Sequence, residues 1–316
     1  MGKPEPLYKA LGVSSLMLGI GAVLSGNAAA QVHGNAEFFP ATICLLFVIF
    51  TQLAANAYHR YHALLVLKGL TPDSVVKLSG SRGGSDQLLF YRVFSFGLGI
   101  LALMTGLTLV AMGGFWFGAI GVFILIASWM LVGGNSPLLL STWGFVFTFI
   151  MFGPVAVIST SLLQSSHEST DPLNWFDISP AIFMSIVVGF MAANAYLAFV
   201  YASYFRSKKM MRFTFTALYG RRATRITYLC FGLVASGIYI WSCFAIGLDR
   251  PWIAVVPGLI CLGFDIYIWR KMKTSPRYKL ASVAELSCLN VLLMGIISSI
   301  LSIWIGIPDD SKLQIF

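Results

Sequence analysis

Charge is what this chain has least of. Only 10% of its 316 residues are Asp, Glu, Lys or Arg, well under the ~25% usual in soluble domains. With 58% hydrophobic residues and a mean hydropathy of +0.82, a water-soluble globular domain is excluded and a polytopic membrane protein is expected. Acid is scarcer still, at 12 Asp plus Glu against 21 Lys plus Arg. None lies between Glu37 and Asp73, and none between Asp177 and Asp249. The five cysteines (Cys44, Cys230, Cys243, Cys261, Cys288) sit in apolar segments without metal-type spacing. They read as small core residues and carry no redox message.

What is present is long apolar runs. A bilayer crossing needs ~20 mostly apolar residues, and nine stretches qualify: about 11–31, 38–58, 88–111, 114–133, 137–163, 178–203, 226–246, 251–270 and 282–306. The expected fold is therefore all-α and integral to a membrane, with nine transmembrane helices. The first stretch, with Lys3, Lys9 and "GNAAAQ" at 26–31, also has features of a signal peptide, and a retained span is the expectation. Gly and Pro in "FGPVAV" (152–157) are tolerable in a span whose neighbours satisfy the freed backbone groups.

The net charge of +9 would suit nucleic acid, but its placement gives a different reading. Nine spans put the N-terminus and the loops after the even-numbered spans on one side, which then holds nineteen of the twenty-one Lys and Arg. Only Arg250 and Lys312 fall opposite, together with Glu37, Glu168, Asp171, Asp177, Asp249, Asp309 and Asp310. By the positive-inside rule the N-terminus is expected in the cytoplasm and the C-terminus outside. The basic charge is topology first, and no nucleic-acid partner is expected.

The string AANAY occurs twice, at 54–58 and 192–196. Each copy ends an even-numbered span and leads into a long cytoplasmic loop, 59–87 or 204–225. That register predicts two related halves, roughly 10–135 and 136–250, with two further helices over 251–306, all in one transmembrane domain. Two helix ends under two polar loops suit an anionic head group, with an apolar tail running between the helices below.

Several segments resemble the UbiA superfamily of intramembrane prenyltransferases, closest to the 1,4-dihydroxy-2-naphthoate polyprenyltransferases of menaquinone synthesis. They are "GIGAVLSG" (19–26), "QLAAN" (52–56), "GGNSPLLL" (133–140), "FGPVAVISTSLLQ" (152–164) and "TALYGRR" (216–222). The resemblance spans roughly 10–300. It implies nine helices around a cavity open to the cytoplasmic side, and a bacterial inner membrane is the expected location. It also implies Mg²⁺ and a polyprenyl diphosphate held by two Asp-rich motifs. Setting Gln52 and Asn56 on the family pattern places the N-D-x-x-D of the first motif on His59, Arg60, Tyr61, His62 and Ala63, so that Arg60 and Ala63 stand where the aspartates belong. Anchoring on Gly220 puts Ser203 and Ser207 on the aspartates of the second motif, with Arg212 and Thr214 on its Lys and Thr. The two carboxylate-free stretches ensure that no shift of register restores an acid to either motif.

Mg²⁺ takes near-octahedral oxygen ligands, typically carboxylate and phosphate, and diphosphate ionisation depends on that metal. At an effective dielectric of 20, a divalent ion ~4 Å from the Arg60 guanidinium would be repelled by about 8 kcal/mol. No cofactor is therefore expected, and Mg²⁺ belongs only to an alternative in which the chain is an active prenyltransferase. Arg60, Arg206, Lys208, Lys209 and Arg212 are candidates to grip an anionic head group directly. His59 and His62 share a helix face, but two His without a third ligand favour interfacial side chains over a metal site.

Asp265 and Glu285 are the carboxylates inside expected spans. With Arg270, Lys271 and Lys273 nearby, snorkelling or interhelical pairing is expected ahead of catalysis. "SRGGSD" (81–86) reads equally as a phosphate-cradling loop and as a plain turn. Aromatics, 14% of the chain, suit either an isoprenoid channel or ordinary packing and lipid contact. The leading expectation is a degenerate UbiA-type fold without metal-dependent catalysis. It would bind a polyprenyl or quinone-like lipid, or act as a membrane subunit or scaffold in a larger complex.

Overall fold

The computed structural model describes residues 13–32, 37–68, 86–132, 138, 141–165, 175–209, 212–246, 251–276 and 279–304, and all regular structure among them is helical. In chain order these are α1 Val13–Gln31, α2 Phe38–Lys68, α3 Asp86–Gly113 and α4 Phe115–Val132. The composite α5 joins Gly144–Ile150, Met151–Ile158 and Ser159–Ser165, and α6 covers Trp175–Ala202. Then come the short α7 Tyr204–Lys209, α8 Phe215–Ala245, α9 Pro251–Thr274 and α10 Leu280–Trp304. Six of these rods (α2, α3, α5, α6, α8 and α10) are long and apolar enough to cross a membrane, and Phe115–Ser128 in α4 is a shorter apolar helix.

The bundle is organised around α6. Of its apolar span 72% is buried, against 17% for α3, so α6 runs through the interior and α3 lies at the periphery. α6 packs against α8, α5, α10 and α1, while α1 also packs on α2 and α10. On the periphery, α3 and α4 turn large apolar side chains outward, among them Phe96, Met104, Leu107, Phe115 and Trp116. Such a surface is stable against lipid tails and not against water.

Two backbone departures shape the interior. Pro154 has no N–H and its ring crowds the preceding turn, so Met151–Ile158 widens into a π-helix instead of breaking. Beside it, Gly153 lets α5 rest directly on the α6 backbone, since a Cβ there would collide with the Ser185 carbonyl and sit 2.8 Å from Gly189 Cα. Near the end of α5, past the wider turns, Gln164 Nε2 donates to Asn27 Oδ1 on α1. Its Oε1 accepts from the Glu37 N–H at 3.0 Å. The second departure is Gly220 at φ 81°, ψ 166°, a kink inside α8. That backbone region is essentially open only to glycine.

Two expected boundaries are corrected. α2 does not end at residue 58 but continues to Lys68, so His59–Ala63 lie on a helix. The stretch 204–225 is not a loop: it forms α7, an extended link at 212–214, and the first turns of α8. In both places the helix outruns the apolar window because polar residues carry it past the expected membrane boundary. Residues 69–85, with most of "SRGGSD", lie outside the described residues.

Candidate functional site

Asn56, in the first AANAY copy, is half-buried on α2, and its Nδ2 donates to Ser15 Oγ on α1 at 2.8 Å. One turn earlier, Gln52 lies against Gly19 of α1, and its Oε1 is buried without a hydrogen-bond partner. On the following turns His59, Arg60 and Ala63 are half-buried. The His62 ring lies 6.1 Å from that of Tyr58, a packing contact.

Asn194, in the second copy, is 1% exposed, and neither Oδ1 nor Nδ2 has a partner. A buried amide left unpaired costs about 1–3 kcal/mol per group, so this position is built for something polar. Two turns along α6, Tyr201 Oη accepts from Arg221 Nη2 at 2.8 Å and donates to the Met272 carbonyl at 2.5 Å. The Arg221 guanidinium also stacks 4.4 Å over the Tyr201 ring and 5.7 Å from that of Phe205. Its Nε, like that of Arg225, is buried without a partner. The antiparallel pairing of α6 and α8 sets Tyr201 against Arg221 and Phe190 against Phe231. Arg225 therefore lies at a level between Tyr201 and Asn194.

Local sequence explains how α8 delivers these arginines. Thr214 caps the helix by accepting from the Ala217 N–H at 3.3 Å. Past the Gly220 kink, Thr224 Oγ1 stands 3.0 Å from both Thr216 Oγ1 and the Gly220 carbonyl. Arg221 and Arg225 are thus presented, one turn apart, from a backbone held by buried hydroxyls. Sequence reasoning missed both because it assigned their charge to topology. Their i, i+4 spacing on one helix face was the available signal.

The expected head-group cluster is divided. Ser207 is buried and its N–H donates to the Ser203 carbonyl at 2.9 Å, while Ser203 Oγ donates to the Val200 carbonyl at 3.3 Å. Lys208, Lys209 and Arg212 are exposed, so they face away from the buried groups that Arg221 and Arg225 offer. The Arg206 side chain lies outside those described.

Next to Asn194, four residues away on the same face, begins a run of rings. Phe190 meets Phe149 at 5.0 Å and Phe231 at 5.2 Å, and Phe231 meets Phe145 at 6.1 Å. A polar position thus adjoins an aromatic lining where α5, α6 and α8 meet.

Asp265 departs from the snorkelling expectation. It is 2% exposed and accepts from Tyr228 Oη at 2.8 Å, which in turn lies 3.1 Å from Ser287 Oγ. This carboxyl joins α8, α9 and α10 from inside. Glu285 is exposed, as an interfacial residue would be.

No family model matches the chain. The 1,4-dihydroxy-2-naphthoate octaprenyltransferase of Mycobacterium tuberculosis (strain ATCC 25618 / H37Rv) is 26% identical over 245 residues, which is 76% of this chain and 77% of that protein. The Bacillus subtilis (strain 168) protein of the same name is 23% identical over 236 residues, covering 74% and 72%. The fold matches the apo structure of a UbiA homolog from Aeropyrum pernix K1 at a TM-score of 0.65, over 92% of this chain and 98% of that one, at 14% identity. The chain has the fold of that UbiA homolog and resembles the two octaprenyltransferases over about three quarters of its length. A further UbiA homolog, from Archaeoglobus fulgidus bound to Cd²⁺, matches at a TM-score of 0.57 with 12% identity over 93% and 99%.

The residues that the resemblance sets on the Asp-rich motifs do not fit the Mg²⁺ that it implies. Arg60 and Ala63 in the first motif, and Ser203 and Ser207 in the second, supply no carboxylate. Among the described residues no group of three or more His, Cys, Asp or Glu comes together. What the chain offers around Asn194 and α8 is an unpaired amide and the unpaired Nε groups of two guanidinium groups.

Proposed function

We propose that this UbiA-like protein binds a polyprenyl or quinone-like lipid, with the head group between Asn194 and the Arg221–Arg225 face of α8, and that it does not carry out metal-dependent prenyl transfer. The observation that carries this reading is Asn194, a sealed amide with both polar atoms unpaired, on a helix packed against α8, where Arg221 and Arg225 have unpaired Nε groups. Acceptor oxygens on a head group satisfy Asn194 Nδ2 and the two Nε groups, a hydroxyl on it donates to Asn194 Oδ1, and guanidinium groups hold such oxygens bidentately. The Phe149–Phe190–Phe231 run accommodates an apolar tail.

In this reading the chain crosses a bacterial inner membrane nine times, with its N-terminus cytoplasmic, its C-terminus outside and the cavity open to the cytoplasm. The two AANAY copies mark two related halves, 10–135 and 136–250, followed by the helices within 251–306. Arg60, at the first motif, excludes a divalent ion rather than holding one. The protein then serves as a lipid-binding member of a membrane complex, or as its scaffold.

A second reading rests on the names of the relatives: an active enzyme moving a prenyl chain from a polyprenyl diphosphate to an aromatic acceptor such as dihydroxynaphthoate. One assay separates the two. Purified protein with polyprenyl diphosphate, dihydroxynaphthoate and Mg²⁺ is expected to give no turnover, while mass spectrometry of the protein purified in mild detergent finds a bound isoprenoid. Turnover that disappears in Arg60→Ala overturns the non-catalytic reading.

A further inference from the structure

At the other end of the bundle is a recess of about 560 Å³, walled by α1, α6, α8 and α10. Along α1, Ala28 in its wall is 13 residues from Ser15, the Asn56 partner, a rise of ~20 Å at 1.5 Å per residue. Along α8, Tyr239 in its wall is 18 residues from Arg221, or ~27 Å. The recess is therefore spatially separate from the Asn194 site.

Its chemistry also differs. No Lys, Arg, Asp, Glu or His is in its wall, which is mostly apolar, so a charged head group gains nothing there and loses its hydration. Two of its three serines are occupied: Ser242 Oγ donates to the Tyr239 carbonyl at 2.7 Å, and Ser302 Oγ donates to the Ser299 carbonyl at 2.9 Å. Ser298 is the exception. It is 5% exposed, and its Oγ has no hydrogen-bond partner of normal geometry, although the Tyr239 side chain is beside it. A buried hydroxyl that lines a recess with no well-aligned hydrogen bond is matched by an incoming acceptor oxygen. Met184, Pro180 and Leu301 supply the apolar wall against which a ring or chain packs.

We propose that this recess binds the head of a neutral, carbonyl-bearing lipid, its oxygen accepting from Ser298 and its body packed against Met184, Pro180 and Leu301. The position at the ends of four helices suits such a molecule, which holds a polar carbonyl near the interface and an apolar body below it. The site does not depend on the head-group reading of Asn194.

The test is photolabelling of the full-length protein in nanodiscs with a fully substituted benzoquinone that carries a diazirine on a short alkyl chain. Saturable labelling is expected on peptides holding Met184, Tyr239 or Leu301. Ser298→Ala is expected to weaken it about fivefold, the loss of one hydrogen bond, and Met184→Trp, which fills the recess, to abolish it. Excess polyprenyl diphosphate is expected to leave it unchanged. Labelling that does not saturate, that is indifferent to Ser298→Ala, or that polyprenyl diphosphate displaces overturns the proposal. Should Met184→Trp fail to fold, the Ser298→Ala and displacement arms still decide.

Discussion

The two copies of AANAY place the same amide in opposite circumstances. Asn56 is half-buried and spends its Nδ2 on Ser15, one helix away. Asn194 is sealed within the bundle and spends neither of its polar atoms. An identical pentapeptide thus serves in one half as an interhelical fastener and in the other as an unfilled socket. The difference lies in the neighbours. α2 has α1 beside it with a serine at the right height, whereas α6 is surrounded on most sides and faces the arginines of α8. Repetition of sequence therefore predicts repetition of place more securely than repetition of role.

The comparison breaks most sharply at Asn194→Leu. Replacing an unpaired buried amide by an apolar side chain of similar size is expected to raise the stability of lipid-free protein by about 1–3 kcal/mol, while retention of isoprenoid falls at least tenfold. Thermal unfolding in delipidated nanodiscs, read beside lipid mass spectrometry, checks both signs. A destabilised variant would mean that Asn194 already has a partner. Arg221→Lys keeps the charge but loses the fork and the stacking over Tyr201, so isoprenoid retention is expected to drop about fivefold. Equal retention would remove Arg221 from the site.

Asn56→Leu has the opposite sign to its twin and is expected to destabilise by about 1 kcal/mol, since it removes the Asn56–Ser15 hydrogen bond. A double-mutant cycle with Ser15→Ala sharpens the point, and a coupling near zero would show that the pair fastens nothing. The smallest effect belongs to Lys208→Ala combined with Lys209→Ala. Both side chains are exposed, and isoprenoid retention is expected to change less than twofold, as for solvated charges generally. A large loss would return the head group to the exposed basic cluster.

Much of the helical plan was legible because apolar runs of bilayer length announce themselves. Rods such as α3 and α4 match their expected limits within two residues. The ends of α2 and the start of α8 were not legible, since a helix in lipid continues past the apolar window wherever its polar residues reach water. Hydropathy marks the membrane and not the helix. The carboxylate-free stretches 38–72 and 178–248 were readable outright, whereas the Arg221–Arg225 pair was hidden by its neighbours. In "YGRRATR" three arginines look alike, and only the kink at Gly220 and the register of α6 decide which of them turn inward. For Asp265 interhelical pairing was among the expectations, but its partner Tyr228, on the preceding helix, was not legible.

The widened turns of α5 have a consequence for how this chain tolerates change. A helix that carries a π segment contains slack: remove one residue from 151–158 and the backbone can close into regular α geometry without breaking. The cost would be rotational, because every later position in α5 swings by roughly 100° about the axis. Gln164, which joins Asn27 of α1 to the backbone at Glu37, would then point elsewhere. In mutational terms the segment behaves as a phase dial: a one-residue deletion there should leave the helix intact and undo the clasp at its far end.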